Sequence, residues 1–243
     1  MKYISKVNDV YCLKKHHKKN VVYKKYNAVA KDFGISLPIT RSKVEKNVIN
    51  YLANCFSSRI VHFPKILNFN NELPMLIMEN CNANPISCLK MELFPPIENW
   101  KDFFVIIYDL KKISFKLAKQ IFDNEIENQN VIRNIMYELK ITNTDAFDLG
   151  NPNTFCLGDL STNNVLIGKN KIFIIDFECS HWGYEGYDIG QFLAMLFILC
   201  KKNNNISYYK SIINYFKKII SDKNYIKKCF MWREILLPYY NRG

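Results

Sequence analysis

The side chains best suited to chemistry lie between Phe155 and Glu178, in FCLGDLSTNNVLIGKNKIFIIDFE. Asp159 is followed five positions later by Asn164. The apolar run Val165-Leu166-Ile167 meets a Gly168-Lys169-Asn170 turn, and a second run, Ile172 to Ile175, ends at Asp176. Two β-rich runs joined by a short Gly/Asn turn predict a hairpin. Antiparallel pairing then sets Asn164, just before the first strand, beside Asp176, just after the second. An amide oxygen next to a carboxylate is a hard, oxygen-only pair suited to the Mg²⁺ of a nucleoside triphosphate. Asp159, in the loop before the hairpin, is placed to accept a proton from, or orient, an attacking hydroxyl. The chemistry predicted for this set is phosphoryl transfer.

Gly158-Asp159-Leu160-Ser161-Thr162-Asn163-Asn164, followed by Ile175-Asp176-Phe177-Glu178, resembles the catalytic core of the aminoglycoside phosphotransferase and choline kinase superfamily. These are small-molecule relatives of protein kinases, with the pattern His-Gly-Asp-x-x-x-x-Asn and then Ile-Asp-Phe/Trp-Glu. The stretch from Trp182 to Gly190 resembles their Gly-x-x-x-Tyr-Asp-Ile-Gly segment, while Leu157 stands where the family usually has His. The resemblance implies an α+β, two-lobed protein-kinase-like fold. A small N-terminal antiparallel sheet plus helix would face a larger, mainly helical C-terminal lobe. The cofactors it implies are ATP and Mg²⁺.

The elements that must position this set begin with two predicted strands, Tyr3 to Leu13 and Val21 to Tyr26, joined by the Lys/His-rich turn Lys14 to Asn20. Kinases cover the ATP phosphates with a glycine-rich loop, but the first glycine here is Gly34. Ile4 to Tyr11 resembles the family's Asn-x-Val-Tyr strand turn without its glycines, leaving backbone N–H groups to face phosphate. No Gly-x-x-x-x-Gly-Lys occurs, which excludes a P-loop NTPase. In Val22-Tyr23-Lys24-Lys25 the strand period of two turns either Lys24 and Val22, or Lys25 and Tyr23, toward the nucleotide. Val22 fits against adenine better than Tyr23, which favours Lys24 for the α/β-phosphates over Lys25. Arg41 to Phe56 has helical spacing, with Val44, Val48, Leu52 and Phe56 on one side and Glu45 bordering them. Glu45 can reach inward to hold the phosphate-binding lysine, the lysine–glutamate pair of kinase lobes.

Phe63 to Leu67 and Pro74 to Glu79 read as two more strands. The second resembles the family's Leu-x-Met-Glu run into the inter-lobe hinge, whose backbone near Glu79 and Cys81 would hydrogen-bond the adenine edge. Asn80, Asn82, Asn84 and Pro85 make a turn-rich link. The expected division is an ATP-binding lobe over 1–80 and a catalytic and substrate lobe over 81–243. The remainder reads as helical: Asn99 capping a long helix through Phe122, then Asn130 to Ile141, Ile189 to Cys200 and about Ile206 to Ile220. Asn143 to Asn153 reads as a polar loop.

Composition excludes several classes. The first twenty residues, studded with Lys and His, do not resemble a secretory signal. The longest apolar run, Phe192 to Cys200, is too short to span a bilayer. Eight scattered cysteines without zinc-site spacing predict reduced thiols in the cytoplasm. The net charge of +12 comes mostly from dispersed lysine, with only five arginines. That argues against nucleic acid and membrane as partners. Lys201 to Gly243 carries ten basic side chains against Asp222 and Glu234. This excess favours a neutral or anionic hydroxylated small molecule over a polycationic aminoglycoside. Choline kinases show a glutamate where Met195 stands here. The expected activity is ATP-dependent transfer of the γ-phosphoryl group to a small-molecule hydroxyl. The alternatives are a catalytically silent kinase-like nucleotide-binding module and a basic nucleic-acid-binding protein.

Overall fold

The computed structural model describes residues 2–3, 8–16, 19–30, 35–70, 72–141 and 151–241. Strands β1 (Lys2–Tyr3), β2 (Asp9–His16) and β3 (Lys19–Lys25) are followed by a short pair, β4 (Val29–Ala30) and β5 (Ile35–Ser36). Helix α1 (Arg41–Cys55) comes next, then β6 (Val61–His62), β7 (Ile66–Asn70), β8 (Met75–Glu79) and β9 (Asn84–Pro85). A five-stranded antiparallel sheet takes the order β1-β2-β3-β8-β7. Its register sets Lys24 opposite Val10 on one side and Leu76 on the other.

The predicted turn at Lys14 to Asn20 is shorter than expected. Residues 14–16 and 19–20 stay in the ladder, with His16 paired to Lys19 past an irregularity in register. Pairing with a neighbour outweighs the weak strand preference of Lys and Asn. Ile4 to Val7 and Gly34 lie outside the described residues.

Helix α1 receives no side-chain cap from Thr40, so its stability comes from its buried face. Val44, Val48, Ile49 and Leu52 are each at most 1% exposed. Burying such a side chain contributes about 1.5–3 kcal/mol. Glu45 sits in the same stripe at 0% exposure, which obliges it to find a charged partner.

Helices α2 (Trp100–Asp109), α3 (Phe115–Ile121) and α4 (Ile126–Lys140) follow. The single helix expected from Asn99 to Phe122 is therefore broken. A 3₁₀ turn at Leu110–Lys112 separates its halves, and the Ser114 hydroxyl accepts from Leu117 N–H to start the second. Ser is a strong N-cap and competes with continuing the helix. Asn99 itself makes no capping bond, because it already has helical backbone in the 3₁₀ turn Ile97–Asn99.

The chain continues with β10 (Thr154–Cys156), β11 (Val165–Gly168), β12 (Lys171–Ile174) and β13 (His181–Gly183), most of the expected polar loop lying outside the described residues. Strands β11 and β12 form the predicted hairpin, Val165 opposite Ile174 and Gly168 opposite Lys171. A four-stranded sheet, β6-β12-β11-β9, builds on it, and β10 pairs antiparallel with β13. Helices α5 (Tyr187–Lys202), α6 (Ile206–Ile219) and α7 (Lys223–Tyr240) complete the chain. Sequence reading missed α7, although Asp222 caps it and Tyr225, Cys229, Trp232 and Leu236 recur at helical spacing on its buried face. Gly190 lets α7 lie against α5: a Cβ there would sit 2.4 Å from Trp232 Cβ and 2.8 Å from Cys229 O. The core between α2, α5 and α6 is aromatic, with Trp100, Phe103, Phe104, Phe192 and Phe216 all at 0% exposure and packed ring on ring. Among the described residues no helix is long and apolar enough to cross a membrane.

Candidate active site

The hairpin delivers Asn164 and Asp176 side by side, as its register requires. Asn164 O accepts the Ile175 N–H at 3.0 Å, so the residue before β11 is bonded to the one preceding Asp176. Asp176 adopts φ 68°, a left-handed conformation that Asp tolerates better than most residues and that turns its carboxylate out of the strand.

Lys24 faces inward, 5% exposed, and Lys25 faces solvent. The Lys24 ammonium lies 2.6 Å from Glu45 Oε2, 2.5 Å from Asp176 Oδ1 and 3.6 Å from Glu178 Oε2. Tyr26 Oη also donates to Glu45 Oε2, at 2.6 Å. Glu178 is held in turn by Asn8 Nδ2, at 2.8 and 2.7 Å from its two oxygens, and by Arg41 Nε at 3.2 Å. Arg41, 1% exposed, also donates to Asn8 Oδ1. One network thus joins the first hairpin, α1 and the segment after β12.

Its electrostatics follow from one ammonium shared by three carboxylates. Burial pulls Lys24 down, but Asp176, Glu178 and Glu45 outweigh it and hold the ammonium well above its ordinary range. Burial pushes Asp176 up and Lys24 pulls it down; Glu178 and Glu45 push it up again, to about 7. A single cation stays charged easily here, whereas Asp176, crowded by two further carboxylates, does not.

Asp159 sits in the loop between β10 and β11 and accepts three side-chain hydrogen bonds. Lys140 Nζ at 3.2 Å and Gln191 Nε2 at 2.7 Å donate to Oδ1, and Asn164 Nδ2 donates to Oδ2 at 3.0 Å. The loop is anchored from below by Asp188, which accepts the N–H groups of Leu157 at 2.8 Å and Gly158 at 3.0 Å. Burial pushes Asp188 up to about 6, against those two bonds. Gly158 has φ 86°, and a Cβ there would lie 2.0 Å from Cys179 O. The loop and the segment after Asp176 are therefore in backbone contact. Leu157 packs into the apolar core at 2% exposure. A histidine reaches the same region from β13: His181 faces Cys156 across the ladder and bonds Cys179 O (2.8 Å) and Tyr137 Oη (3.0 Å). Burial pushes His181 down to about 4.

A cavity of about 500 Å³ opens between the sheet and the hairpin. Val10, Val22, Met78 and Leu166 give it apolar walls, with Lys24, Glu45, Asn164 and Asp176 at its polar end. Glu79 and Cys81 line it too. Glu79 N–H is already donated to Lys65 O, so a backbone bond from Glu79 to a ligand would use its carbonyl. Burial and the charge of Glu79 push the Cys81 thiol up to about 12, which keeps it protonated.

The donors here suit a hard cation. Because Asn164 Nδ2 is bonded to Asp159, its Oδ1 is the free acceptor of that amide. Glu45 Oε1 is buried without a hydrogen-bond partner among the described residues, and oxygens of Glu45, Asp176 and Glu178 lie within 4.8 Å of one another. An all-oxygen set fits Mg²⁺.

The structure thus brings Lys24, Glu45, Asn164, Asp159 and Asp176 together and sets Glu79 and Cys81 along the same cavity. Sequence reading gave no role to Lys140, Gln191, Arg41 or Asn8; only tertiary contacts reveal them. One expectation loses its footing. Lys201, Lys202, Lys210, Lys217, Lys218, Lys223 and Lys227 are all exposed, so the basic excess after Cys200 is largely a solvated face rather than a pocket wall.

Residues 125–201 match the model of a family described as the phosphotransferase enzyme family. No curated protein matches the chain. Solved structures do share its fold. The streptomycin–ATP ternary complex of APH(2″)-IIa is 13% identical, with a TM-score of 0.52 over 98% of this chain and 92% of that one. Plasmodium vivax ethanolamine kinase is 16% identical, with a TM-score of 0.52 over 99% of this chain and 72% of that one. The macrolide 2′-phosphotransferase MphH from Brachybacterium faecium is 11% identical, with a TM-score of 0.52 over 100% and 92%. The fold is the expected α+β, two-lobed, protein-kinase-like one, and the resemblance read from the catalytic motifs is borne out.

Proposed function

We propose, from that resemblance to the aminoglycoside phosphotransferase and choline kinase superfamily, that this chain transfers the γ-phosphoryl group of ATP to a hydroxyl of a small molecule. The observation that carries the reading is the Lys24 ammonium held between Glu45 and Asp176 at the polar end of the cavity. A buried cation at that point meets the α/β-phosphates of a nucleotide whose base lies between Val22 and Leu166. Glu45 keeps Lys24 aimed; the carbonyl of Glu79 and the backbone of Cys81 meet the adenine edge. Mg²⁺, bound by Asn164 Oδ1 and Asp176, would neutralise charge on the β- and γ-phosphates. Asp159 orients the acceptor hydroxyl and takes its proton. The acceptor oxygen bonds to the γ-phosphorus as the bond to the bridging β–γ oxygen breaks, leaving ADP. Positioning and fixed charge supply most of the rate, so few reactive groups are needed.

We place the boundary between the lobes at residues 80–81, where β8 has ended and the chain runs irregularly to β9. The acceptor is a hydroxylated metabolite or antibiotic-like compound. The scattered thiols fit a reducing cytoplasm.

Thermal denaturation with and without millimolar ATP and Mg²⁺ tests the reading. Nucleotide at 100 times its Kd stabilises a folded chain by about 2.7 kcal/mol. The wild type should gain several degrees and Asp176→Ala much less. A wild-type Tm indifferent to Mg²⁺ and ATP would sink the proposal.

A further inference from the structure

Lys140 is the last residue of α4, and its side chain is 8% exposed. Removing an ammonium from water costs several kcal/mol, and an apolar side chain of similar volume would pack there at least as well. The C-terminal end of α4 favours a cation by about 0.3–1 kcal/mol, less than that cost, so stability alone does not account for a lysine at this point. Its carboxylate partner among the described residues is Asp159, whose own side chain is 31% exposed.

A carboxylate has about four lone-pair sites, two on each oxygen. On Asp159, Lys140 and Gln191 fill both sites of Oδ1 from the protein side, and Asn164 takes one on Oδ2. Among the described residues a single site remains unfilled, on Oδ2. Two buried donors on one oxygen stop the carboxylate from turning about its Cβ–Cγ bond, so the vacant site points in one direction.

We propose that Lys140, seconded by Gln191, is a positioning residue for the phosphoryl transfer. It pins Asp159 Oδ1 so that the remaining Oδ2 site faces the acceptor O–H. Lys140 touches neither nucleotide nor acceptor and acts wholly through Asp159. The inference rests on the role given to Asp159 above.

Slow ATP hydrolysis, with water as acceptor, provides a probe that needs no knowledge of the natural substrate. Phosphate release would be followed for the wild type, Lys140→Met, Lys140→Arg, Asp159→Asn and the double variant Lys140→Met/Asp159→Asn. Displacing a reacting group by about 1 Å costs on the order of 100-fold in rate. Lys140→Met should therefore lose about 10- to 100-fold in kcat, with KM for ATP and the Mg²⁺·ATP-induced rise in Tm unchanged. Lys140→Arg, which keeps charge and donors, should recover most of the rate. The double variant should be no slower than Asp159→Asn, since residues acting as a unit are not additive. If Lys140→Met does not fold, Lys140→Gln, which keeps one donor, takes its place with the same expected pattern. Full-rate Lys140→Met, losses that multiply in the double variant, or a KM effect equal to the kcat effect would overturn the role of Lys140 alone. A wild type that neither binds ATP nor releases phosphate would overturn the phosphotransferase reading and this role with it.

Discussion

Lys24 and Asp176 lie 152 residues apart in the chain, yet the ammonium of one is 2.5 Å from the carboxylate of the other. One residue is the next to last of β3, the other lies two residues past the end of β12. Their contact draws the sheet and the hairpin across the cavity, and Glu45 from α1 completes it from behind. The geometry leaves a buried cation with more negative partners than it can neutralise. On the proposed reading, that excess negative charge is relieved when one carboxylate turns to Mg²⁺ and the ammonium to phosphate.

Lys24→Met should therefore destabilise the chain as well as abolish nucleotide binding. It leaves Glu45 and Glu178 buried without the ammonium, and breaking a buried pair from one side costs about 3–5 kcal/mol. Urea unfolding should show a loss of that size, and Lys24→Arg a smaller one. Lys25→Met, on the exposed side of the same strand, should change stability by less than about 0.5 kcal/mol. Equal effects at the two lysines would contradict the inward assignment of Lys24.

Gly158→Ala tests the backbone contact beneath Asp159. The added methyl would fall 2.0 Å from Cys179 O, at a residue whose φ of 86° already disfavours a Cβ. The loop must shift, and Asp159 with it. We expect a loss of about 1–3 kcal/mol in stability and a fall in turnover larger than the Tm change explains. Normal turnover would show that the loop tolerates displacement.

His181 gives stability a pH dependence that can be isolated. Burial holds the folded imidazole at about 4, against an ordinary value near 6.5 in the unfolded chain. Between those values the unfolded state binds the extra proton, so the contribution of His181 to stability falls as pH falls from about 6.5 to about 4 and then levels off. The full span is worth about 3 kcal/mol. Asp176 and Asp188, held above their ordinary values, act in the opposite sense over part of this range, so the difference in unfolding free energy between wild type and His181→Phe, not either curve's own slope, should change by that amount. Parallel curves for the two proteins would show that His181 is protonated normally in the folded state.

Much of this protein was legible in its sequence, because local rules govern the parts concerned. Strand periodicity and a two-residue turn determine the hairpin, and the hairpin alone brings Asn164 beside Asp176. Period two in β3 favoured Lys24 over Lys25, and helical spacing set Glu45 on the buried stripe of α1. Where local signals competed, sequence reading went astray: Ser114 capped a new helix within what read as one, and α7 passed unseen despite its buried spacing. The tertiary structure decided what no local rule reaches. Lys140 and Gln191 meet Asp159 from two different helices, and Arg41 and Asn8 hold Glu178 across more than a hundred residues. Whether the lysines after Cys200 wall a pocket or face water depends on how α6 and α7 rotate onto α5. For α7 that rotation is set by close packing at Gly190 and Trp232, because burial of complementary surfaces, not chain order, selects it.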